Sequence, residues 1–585
     1  MQLKPDLSRR TAFLLLAAIT AAGAAFRFYD LAWSGPFFQF HKDEQYVLAS
    51  ADMLRRSSHE AAMSSKYFMY TPLLPYFINM ARNVYEAIFH PLNLAVPADE
   101  VAYMVLARAV SAAFGTATIL MTYAVATRIA GRLAGLLAAF FMAFAVLHIR
   151  DSHFAATDVI MVFFSTVALW TALRLVERGD WPSVIVAGVA FGFAILSKYT
   201  GAFVLGVIGL AYFLAPGRPT AVQPIGAWVR WVLRGIVPIC IGFAIFLILF
   251  PLVWQYPVKF RADIKEWVTD PLSGVTKPIW IGQFGDLRVP ELYWFTNLLW
   301  WGLGPALEIL GVVGVVWLLL KWDRRTAVVA SFPIIYFLVA GRTIAPMIRY
   351  SLPLIPALAI AAGVFGAEWM RRPRWRNLAF AVVGLTVVTT GLYAAAYMNV
   401  FRQPDSRLEA SKWLMENVPE NTKILVEPSQ NTPPVGGYLT APNFNNDYVL
   451  WGGTNRREAE RERKDYYHLY TFDAYRYLYA DRFDDAEKRR YIDSRLDQAD
   501  WIVMDDTFKI FYEHLQGPEN AVVKQHYDDL LSGKLGFTVV KTFKTYPRIF
   551  GVDINDDEAE MTFKLFDHPR VFILRRFAAP PPPAN

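Results

Sequence analysis

The sequence has few of the residues that many folded chains depend on. Among its 585 residues it contains one cysteine, Cys240, which excludes an intrachain disulfide. Because Cys240 lies inside an apolar run, we expect it to be buried in packing. Charged residues make up 19% of the chain, below the roughly 25% that is usual for soluble proteins. The sequence also lacks a Walker-type glycine loop, a zinc motif, a nucleophile elbow and an internal repeat.

Apolar residues, in contrast, are abundant. They make up 55% of the chain, aromatic residues make up 15%, and the mean hydropathy is positive. Long apolar runs recur, which predicts a mainly α polytopic membrane protein with about eleven transmembrane helices. The runs are 11–29, 102–124, 132–149, 156–174, 182–196, 200–214, 234–253, 303–320, 326–341, 350–369 and 377–398. The first could pass for a signal peptide, but many runs follow it, which favours an uncleaved helix.

Basic residues fall mostly in the short loops on one side of these runs. The positive-inside rule places that side, with the N-terminus, in the cytoplasm. An odd number of spans then puts the loops 30–100, 150–155, 254–302 and 342–349 outside, together with everything after about residue 400. The net charge of +7 is thus explained by topology and does not suggest nucleic acid.

Two domains are predicted. Residues 1–399 form a transmembrane catalytic domain, whose outer loop 30–100 carries two amphipathic interfacial helices, 43–56 and 73–89. Residues 400–585 form a soluble, extracytoplasmic α/β domain. Its predicted elements are a helix at 406–417, strands at 423–427, 501–504, 537–542 and 571–574, a solvated helical insertion at 452–498 and a frayed proline tail at 580–583.

Two adjacent carboxylates, Asp43 and Glu44, follow the first span. Ionisable groups at the edge of a membrane are costly and usually functional. Asp43 begins a helix there and is our candidate for a general base. Glu44 points elsewhere along that helix and would position a donor or acceptor. The pattern alone favours a simpler role for Asp43, as the N-cap of the helix.

Further charged groups follow later spans on the same side. Acids lie beside spans three and four, and bases follow spans five and nine, so a surface that joins them would hold carboxylates beside cations. That combination suits transfer from a phosphate-linked donor, because a carboxylate can deprotonate the acceptor hydroxyl while Arg and Lys stabilise the departing phosphate. The candidates are Arg150, Asp151, His153, Asp158, Lys198, Arg342 and Arg349, and Arg108 lies inside the second span.

Simpler explanations of these residues stay open. Asp158 could cap a helix, and Arg342 and Arg349 could be snorkelling residues at the interface. The aromatic residues of 293–295 and 300–301 favour a belt at the headgroup level over a substrate-stacking role. His153 with Asp151 and Asp158 lacks the spacing of a metal site, so we predict no required cofactor and leave a divalent cation open.

Several stretches resemble a known family. The Asp-Glu pair in HKDEQY (41–46) is similar to the hallmark of the GT-C membrane glycosyltransferases. Three more stretches resemble the bacterial branch related to protein mannosyltransferases and aminoarabinose transferases (family 39 type): RDSHFAATD (150–158), GFAILSKYTG (192–201) and RYSLPLIPA (349–357). The stretch FDHPRVFIL (566–574) resembles the C-terminal tail of that branch.

The resemblance implies a GT-C fold in a bacterial cytoplasmic (inner) membrane and an inverting transfer at its outer face. The donor would be a polyprenyl-phosphate monosaccharide, and the acceptor a protein, lipid or polysaccharide. Asp43 would be the catalytic base, and Asp158 matches an acid at the start of the fourth span. From its place beside Asp43, we also expect Glu44 in the catalytic group. Lys198 and Arg349 would bind the donor phosphate, with Arg342 as a looser match. The expected substrate-binding residues are Arg150, Asp151, His153 and Tyr46.

Two other classes of function remain as alternatives. A transporter or flippase of lipid-linked sugars would be expected to show inverted repeats and charged groups near the membrane midplane. The sequence shows no repeat, and its ionisable groups gather at one face. A non-catalytic subunit for envelope assembly would use the C-terminal domain for interaction.

Overall fold

The computed structural model describes residues 7–35, 41–56, 67–89, 100–270, 279–427, 432–433, 435, 467–474, 478, 483–514, 517 and 520–577. The first of its two parts is helical and extends to Arg402. Its helices are α1 (Arg9–Phe28), α2 (Lys42–Arg56), α3 (Leu73–Phe89), α4 (Glu100–Ala130), α5 (Arg132–Ala143), α6 (Val146–Ser152), α7 (Thr157–Arg178), α8 (Trp181–Ser197), α9 (Val204–Leu214), α10 (Ile225–Leu249), α11 (Leu252–Gln255), α12 (Pro257–Ile264), α13 (Pro290–Tyr293), α14 (Trp300–Leu303), α15 (Pro305–Lys321), α16 (Arg324–Ala340), α17 (Leu354–Met370) and α18 (Arg376–Arg402).

Many of these helices are apolar enough to lie in a membrane. In the described part of the chain, α1, α4, α7, α10 and the run containing α18 are each long enough to cross it alone. Two bent pairs, α5 with α6 and the segment Pro290–Leu303 with α15, raise the number to seven. The helices α8, α9 and α17 are shorter and apolar. The chain is therefore a multi-pass, mainly helical membrane protein. Each predicted run coincides with helical residues, but the number of eleven spans stays a prediction.

Helix α17 lies at the centre of this part, and nearly all of its side chains are buried. Small residues let its neighbours approach closely, as is usual between helices in membranes. A Cβ atom added at Gly363 would lie 2.6 Å from the carbonyl oxygen of Ala134 in α5. One added at Gly314 of α15 would lie 2.5 Å from the backbone of Ala361. Any larger residue at these two positions would push the helices apart.

A buried arginine stabilises the bend of 58° between α5 and α6. The last carbonyl groups of a helix have no partner within it and need donors from elsewhere. Arg27 of α1 supplies them, donating to the carbonyl oxygens of Met142 at 2.9 Å and Ala143 at 2.8 Å. Its guanidinium also lies 3.1 Å from Nδ1 of His148. The bend turns α6, which carries Arg150 and Asp151, away from the axis of α5.

The second part is a small α/β domain. Its helices are α19 (Ser406–Asn417), α20 (Asp485–Leu496), α21 (Thr507–Glu513), α22 (Ala521–Leu531) and α23 (Met561–Lys564). Its strands are β1 (Lys423–Val426), β2 (His468–Thr471), β3 (Trp501–Asp505), β4 (Phe537–Phe543), β5 (Arg548–Ile549), β6 (Val552–Asp553) and β7 (Val571–Arg576).

Five strands form one sheet in the order β2-β1-β3-β7-β4. Strand β1 pairs in parallel with β2 and β3, whereas β7 runs antiparallel to both β3 and β4. Apolar side chains of β1, β3 and β7 fill the core on the two faces. Strands β5 and β6 make a separate antiparallel pair. The segment 556–568, which includes α23, leads into β7, which lies between β3 and β4, so the sheet fixes the end of this segment.

The sequence predicted much of this domain. The helix at 406–417 and the strands that became β1, β3, β4 and β7 are confirmed. The prediction that 452–498 is wholly a solvated helical insertion is wrong, because β2 lies within it and pairs with β1. Residues 451–466 and 580–583 lie outside the described residues, so the predictions for them are not addressed. The expectation of a buried Cys240 is also wrong, because its side chain is exposed on α10.

Candidate functional site

Helix α2 presents its two acidic residues in different directions. Asp43 lies in the first turn of the helix and does not cap it, since its carboxylate bonds residues from other segments. One carboxylate oxygen accepts a hydrogen bond from the Tyr70 hydroxyl at 2.7 Å, and the other accepts one from Arg349. The Asp43 side chain is 16% exposed, so it meets a pocket more than bulk solvent. The N-cap interpretation is thus not supported.

Glu44 points into the protein and has no exposed surface. Its two oxygens accept bonds from Nε and Nη2 of Arg108, both at 2.8 Å, and one of them also accepts the Ala155 N–H at 2.8 Å. Arg108 in turn donates to the carbonyl oxygens of Leu31 and Trp33. This buried ion pair joins α2 to α4 and to the segment before α7. Glu44 therefore does not face the pocket, and its contacts fix the helix that carries Asp43.

Lys198 lies at the break between α8 and the 3-10 turn that precedes α9. Its ammonium group donates to Asp158, at the start of α7, across 2.6 Å. The side chains are 25% and 8% exposed, so this pair lies at the wall of a pocket. The cap proposed as an alternative for Asp158 is not observed.

The segment before α3 holds the break in place. The hydroxyl of Thr71 donates to the carbonyl oxygen of Ser197 at 2.5 Å, and that of Tyr199 donates to the carbonyl oxygen of Phe68 at 2.8 Å. Since Tyr70 of the same segment bonds Asp43, one short stretch positions both the acid of α2 and the lysine of the break. The ring of Tyr46 stacks on that of Tyr70 at 5.9 Å between centroids.

Arg150 lies almost completely buried at the end of α6, with 2% of its side chain exposed. Its guanidinium donates to Asp151 at 2.6 Å, to Asp567 at 3.2 Å and to the carbonyl oxygen of Thr562 at 2.5 Å. Two of these three partners belong to the C-terminal domain. Carboxylates from both domains thus compensate the charge of one arginine.

The charges around Asp43 favour its ionised form. Burial is the largest single influence and would raise the pKa of Asp43, but the combined effect of the Arg349 guanidinium, His41, the Tyr70 hydroxyl and Lys198 outweighs burial and holds that pKa well below its ordinary value. The same burial, together with the negative charge of Asp43, raises the pKa of Tyr70. Asp43 is therefore a carboxylate, and Tyr70 is a neutral hydrogen-bond donor to it.

These contacts converge on one pocket, where five predicted site residues meet: Asp43, Arg150, Asp151, Asp158 and Arg349. Lys198 reaches its edge through Asp158. The complete lining is His41, Asp43, Arg150, Asp151, Phe154, Ala156, Asp158, Arg349, Thr562 and Phe566. In the part of the chain that the structure describes, no group of three or more His, Cys, Asp or Glu side chains is arranged to hold a metal ion.

Besides Glu44, three predicted residues lie outside the pocket. Arg342 is largely exposed and comes only within 4.0 Å of Glu291, so the structure places it outside the pocket. His153 is buried, and its ring nitrogens bond the carbonyl oxygens of Ile149 and Tyr29, which leaves no nitrogen for substrate. Tyr46 is buried against Tyr70 and supports the pocket without lining it.

Sequence reasoning missed Tyr70, which bonds Asp43, and five residues of the lining: His41, Phe154, Ala156, Thr562 and Phe566. Tyr70 and Phe154 carry no local signal, because a tyrosine before an interfacial helix and a phenylalanine beside an apolar run are common. Thr562 and Phe566 lie in the C-terminal domain, some four hundred residues from Arg150. The similarity of 566–574 to a family tail was the one available signal, and it gave no location.

Comparison with known proteins adds a family match and a set of similar folds. The sequence model of the family described as dolichyl-phosphate-mannose-protein mannosyltransferase matches residues 102–254. The archaeal oligosaccharyltransferase AglB from Archaeoglobus fulgidus, solved with an inhibitory peptide and a dolichol-phosphate, is 11% identical with a TM-score of 0.50, over 88% of this chain and 72% of its own. Among curated proteins, none matches the sequence.

Two further solved structures are similar at lower TM-scores. ArnT from Cupriavidus metallidurans, bound to undecaprenyl phosphate, is 17% identical with a TM-score of 0.45, over 70% of this chain and 73% of its own. The protein O-mannosyltransferase Pmt1-Pmt2 complex of S. cerevisiae, bound to the sugar donor, is 17% identical with a TM-score of 0.30, over 44% of this chain and 34% of its own. The family match spans Arg108, Arg150, Asp151, Asp158 and Lys198.

Proposed function

We propose that this chain, which has the fold of the GT-C superfamily of membrane glycosyltransferases, is an inverting glycosyltransferase that uses a polyprenyl-phosphate monosaccharide. One observation carries the proposal: two ion pairs lie side by side at one pocket. An ionised Asp43 pairs with Arg349, and Asp158 pairs with Lys198. The match to a family named for a lipid-phosphate sugar donor supports the same class of donor.

The reaction follows from the charges. The donor phosphate binds Arg349 and Lys198, which exchange their carboxylate partners for phosphate oxygens. Asp43 accepts the proton of the acceptor hydroxyl while that oxygen bonds to the anomeric carbon. The bond from that carbon to the phosphate oxygen breaks, and its electron pair leaves with the phosphate, whose negative charge the two cations stabilise. A single displacement inverts the configuration.

Donor binding would also make Asp43 a stronger base. Its pKa is low because Arg349, together with weaker contributions from His41, Tyr70 and Lys198, outweighs the effect of burial. When Arg349 turns to the phosphate, burial still disfavours the charged carboxylate, so the pKa of Asp43 rises. The proton affinity of the base would then increase only after the leaving group is in place. This order limits unproductive chemistry before the donor is bound.

Sugar transfer is the direct test. The purified full chain in lipid nanodiscs, given a radiolabelled polyprenyl-phosphate sugar and a membrane extract, should move label to an acceptor. One polyprenyl phosphate should be released for each sugar transferred. In proteoliposomes, movement of the intact labelled lipid across the bilayer without release of polyprenyl phosphate would contradict the proposal and support a flippase. If the chain neither transfers sugar nor moves the labelled lipid with any donor, the result contradicts the proposal and supports a non-catalytic assembly subunit.

The proposed site faces the outer side of a bacterial cytoplasmic membrane, where the acceptor is a protein, lipid or polysaccharide. In a Cys240→Ser background, cysteines at the exposed positions Glu416 and Asp500 should react with an impermeant maleimide in intact spheroplasts. A cysteine at Val222, 95% exposed in a loop on the opposite side, should react only after lysis. The reverse pattern would place the pocket in the cytoplasm and contradict the proposed sidedness.

A further inference from the structure

The segment 556–568 of the C-terminal domain reaches the pocket of the membrane domain, and we call it the docking segment. The amide of Asn297 holds it at two points, donating to the carbonyl oxygen of Glu558 and accepting from the N–H of Glu560, both at 2.8 Å. The carboxylate of Glu560 accepts the N–H of Ile348 at 3.0 Å, one residue before Arg349. These contacts fix the docking segment against the loop that carries a cation of the pocket.

The same segment supplies part of the pocket surface. Thr562 and Phe566 line it, and the ring of Phe566 lies 4.1 Å from that of His41 between centroids. The His41 ring is also packed against Phe154 at 4.4 Å. The rings of Phe566, His41 and Phe154 together form one wall of the pocket, and His41 is two residues before the proposed base Asp43.

Asp567 carries the charged contact between the domains. One of its oxygens accepts from Arg150 at 3.2 Å and from the Tyr397 hydroxyl at 2.8 Å. The other lies 2.6 Å from Nδ1 of His568, whose Nε2 lies 2.7 Å from Asp556. All five side chains are buried, and a buried carboxylate needs such partners. The result is a row of alternating charges that ends at Arg150.

The pKa values of Asp567 and His568 are shifted in the directions that this row of alternating charges requires. Burial would raise the pKa of Asp567, but His568 and Arg150 lower it to about 2. Burial would lower the pKa of His568, but Asp567 and Asp556 outweigh burial and raise it. Asp567 is therefore an anion and His568 is biased toward imidazolium, which keeps the Arg150 side of Asp567 negative.

Arg150 differs from Arg349 and Lys198 in how many carboxylates compensate its positive charge. Among the described residues, two carboxylates, Asp151 and Asp567, bond it, whereas Arg349 and Lys198 each bond one. Because these carboxylates already compensate the charge of Arg150, a phosphate gains less there than beside Arg349 or Lys198, and the oxygens of Asp151 and Asp567 would repel it. An uncharged hydroxyl or amide faces no such repulsion and can use the remaining hydrogen-bonding capacity of the carboxylates.

We infer that the docking segment forms the acceptor side of the pocket. In this arrangement Asp567 is a positioning residue that orients Arg150. Phe566 completes the wall of rings that excludes water from the space beside Asp43. The acceptor group that fits this side is an uncharged, hydroxyl-bearing one. The assignment of an acceptor to this side rests on the proposed function. The existence of the wall does not depend on that function.

The wall is tested without any assay of transfer. In a Cys240→Ser background, a cysteine is placed at Ala156, which lines the pocket and is 7% exposed. Phe566→Ala should speed its modification by a water-soluble maleimide at least roughly fivefold, because removal of a packed ring opens space beside it. The matched control is Phe550→Ala in the same domain, where the ring is 87% exposed, and it should leave the rate unchanged.

The positioning role is tested by kinetics. Asp567→Asn should lower kcat/KM for the acceptor by about 10- to 100-fold, since loss of a charge-assisted hydrogen bond is worth about 1.5–3 kcal/mol. The donor KM should change by less than about threefold, because the phosphate cations are intact. Asp567→Glu should recover part of the loss by restoring the charge. The control Asp553→Asn removes an exposed carboxylate of the same domain.

The outcomes separate the two proposals. If the modification rate and the acceptor kinetics of the Phe566 and Asp567 variants equal those of their controls, the inference is overturned while transfer by the wild-type chain stands. If the wild-type chain transfers no sugar but Phe566→Ala still exposes the cysteine at 156, the wall is supported and the proposed function fails.

Discussion

Asp43→Asn should reduce the turnover of sugar transfer by about a thousandfold, within the range of 10²–10⁴ that general base catalysis contributes. Asparagine keeps the shape of aspartate and can still accept the hydrogen bond from Tyr70, but it cannot take the acceptor's proton. The residual rate reports what positioning and the phosphate cations supply without a base. The measurement is single-turnover transfer at saturating donor and acceptor.

The affinity for the donor phosphate should not fall in the same variant, in contrast to its turnover. In the Asp43→Asn protein, Arg349 loses the carboxylate that it bonds and becomes free to meet a phosphate. Polyprenyl phosphate should therefore bind at least as tightly as it binds the wild-type chain, as measured by ligand-induced thermal stabilisation. The control is Asp52→Asn, which removes a carboxylate from the same helix where it pairs with Arg82. Near-normal turnover in the Asp43 variant would remove Asp43 from the role of base.

The sequence predicted which elements exist better than it predicted what their side chains contact. Apolar runs of about 20 residues mark helices because each must satisfy its own backbone hydrogen bonds in lipid. The strands β1, β3, β4 and β7 were predicted because each combines a short apolar run with flanking polar residues. Strand β2 was missed, since its four residues lie in a charged stretch and gain their stability from pairing with β1.

For the site too, the sequence predicted which residues are present better than it predicted what their side chains contact. Asp43, Asp158, Lys198 and Arg349 were predicted because each is an ionisable group that an apolar run brings to one face of the membrane. Glu44 met the same criterion, yet its partner Arg108 lies inside a span and converts it into a buried structural ion pair. Arg342 also met this criterion, but its side chain is largely exposed and does not line the pocket. Local pattern gives the depth of a charge in the membrane and not its direction.

The contribution of the C-terminal domain could not be predicted at all. The bond from Arg150 to Asp567 joins residues that are 417 positions apart. No periodicity extends over that distance, and the composition of 400–585 gives no hint that one loop enters the membrane domain. The similarity of 566–574 to a family tail marked the right residues for a reason that only the packing of Phe566 and Asp567 explains.

Arg349→Gln should lower kcat/KM for the donor by about 100- to 1,000-fold, as expected for removal of a charge that stabilises the leaving phosphate. The acceptor KM should change little, because the acceptor side is formed by other residues. Arg342→Gln is the matched control, since that arginine follows the same span but is largely exposed. We expect it to retain wild-type kinetics for both substrates. Equal losses in donor and acceptor use by the Arg349 variant would contradict the phosphate role.

The same variant should also change the pH dependence. In the wild-type chain without donor, Arg349 helps to hold the pKa of Asp43 well below its ordinary value, so Asp43 stays ionised. The kcat/KM for the donor, which reports the free enzyme, should therefore show no acidic limb from Asp43 above about pH 5. Without Arg349, burial is opposed only by the weaker effects of His41, Tyr70 and Lys198, and the pKa rises. A base must be deprotonated to act, so activity should then fall as the pH drops through this higher pKa. A profile that keeps the wild-type shape, with only a lower plateau, would show that Arg349 does not control the ionisation of Asp43.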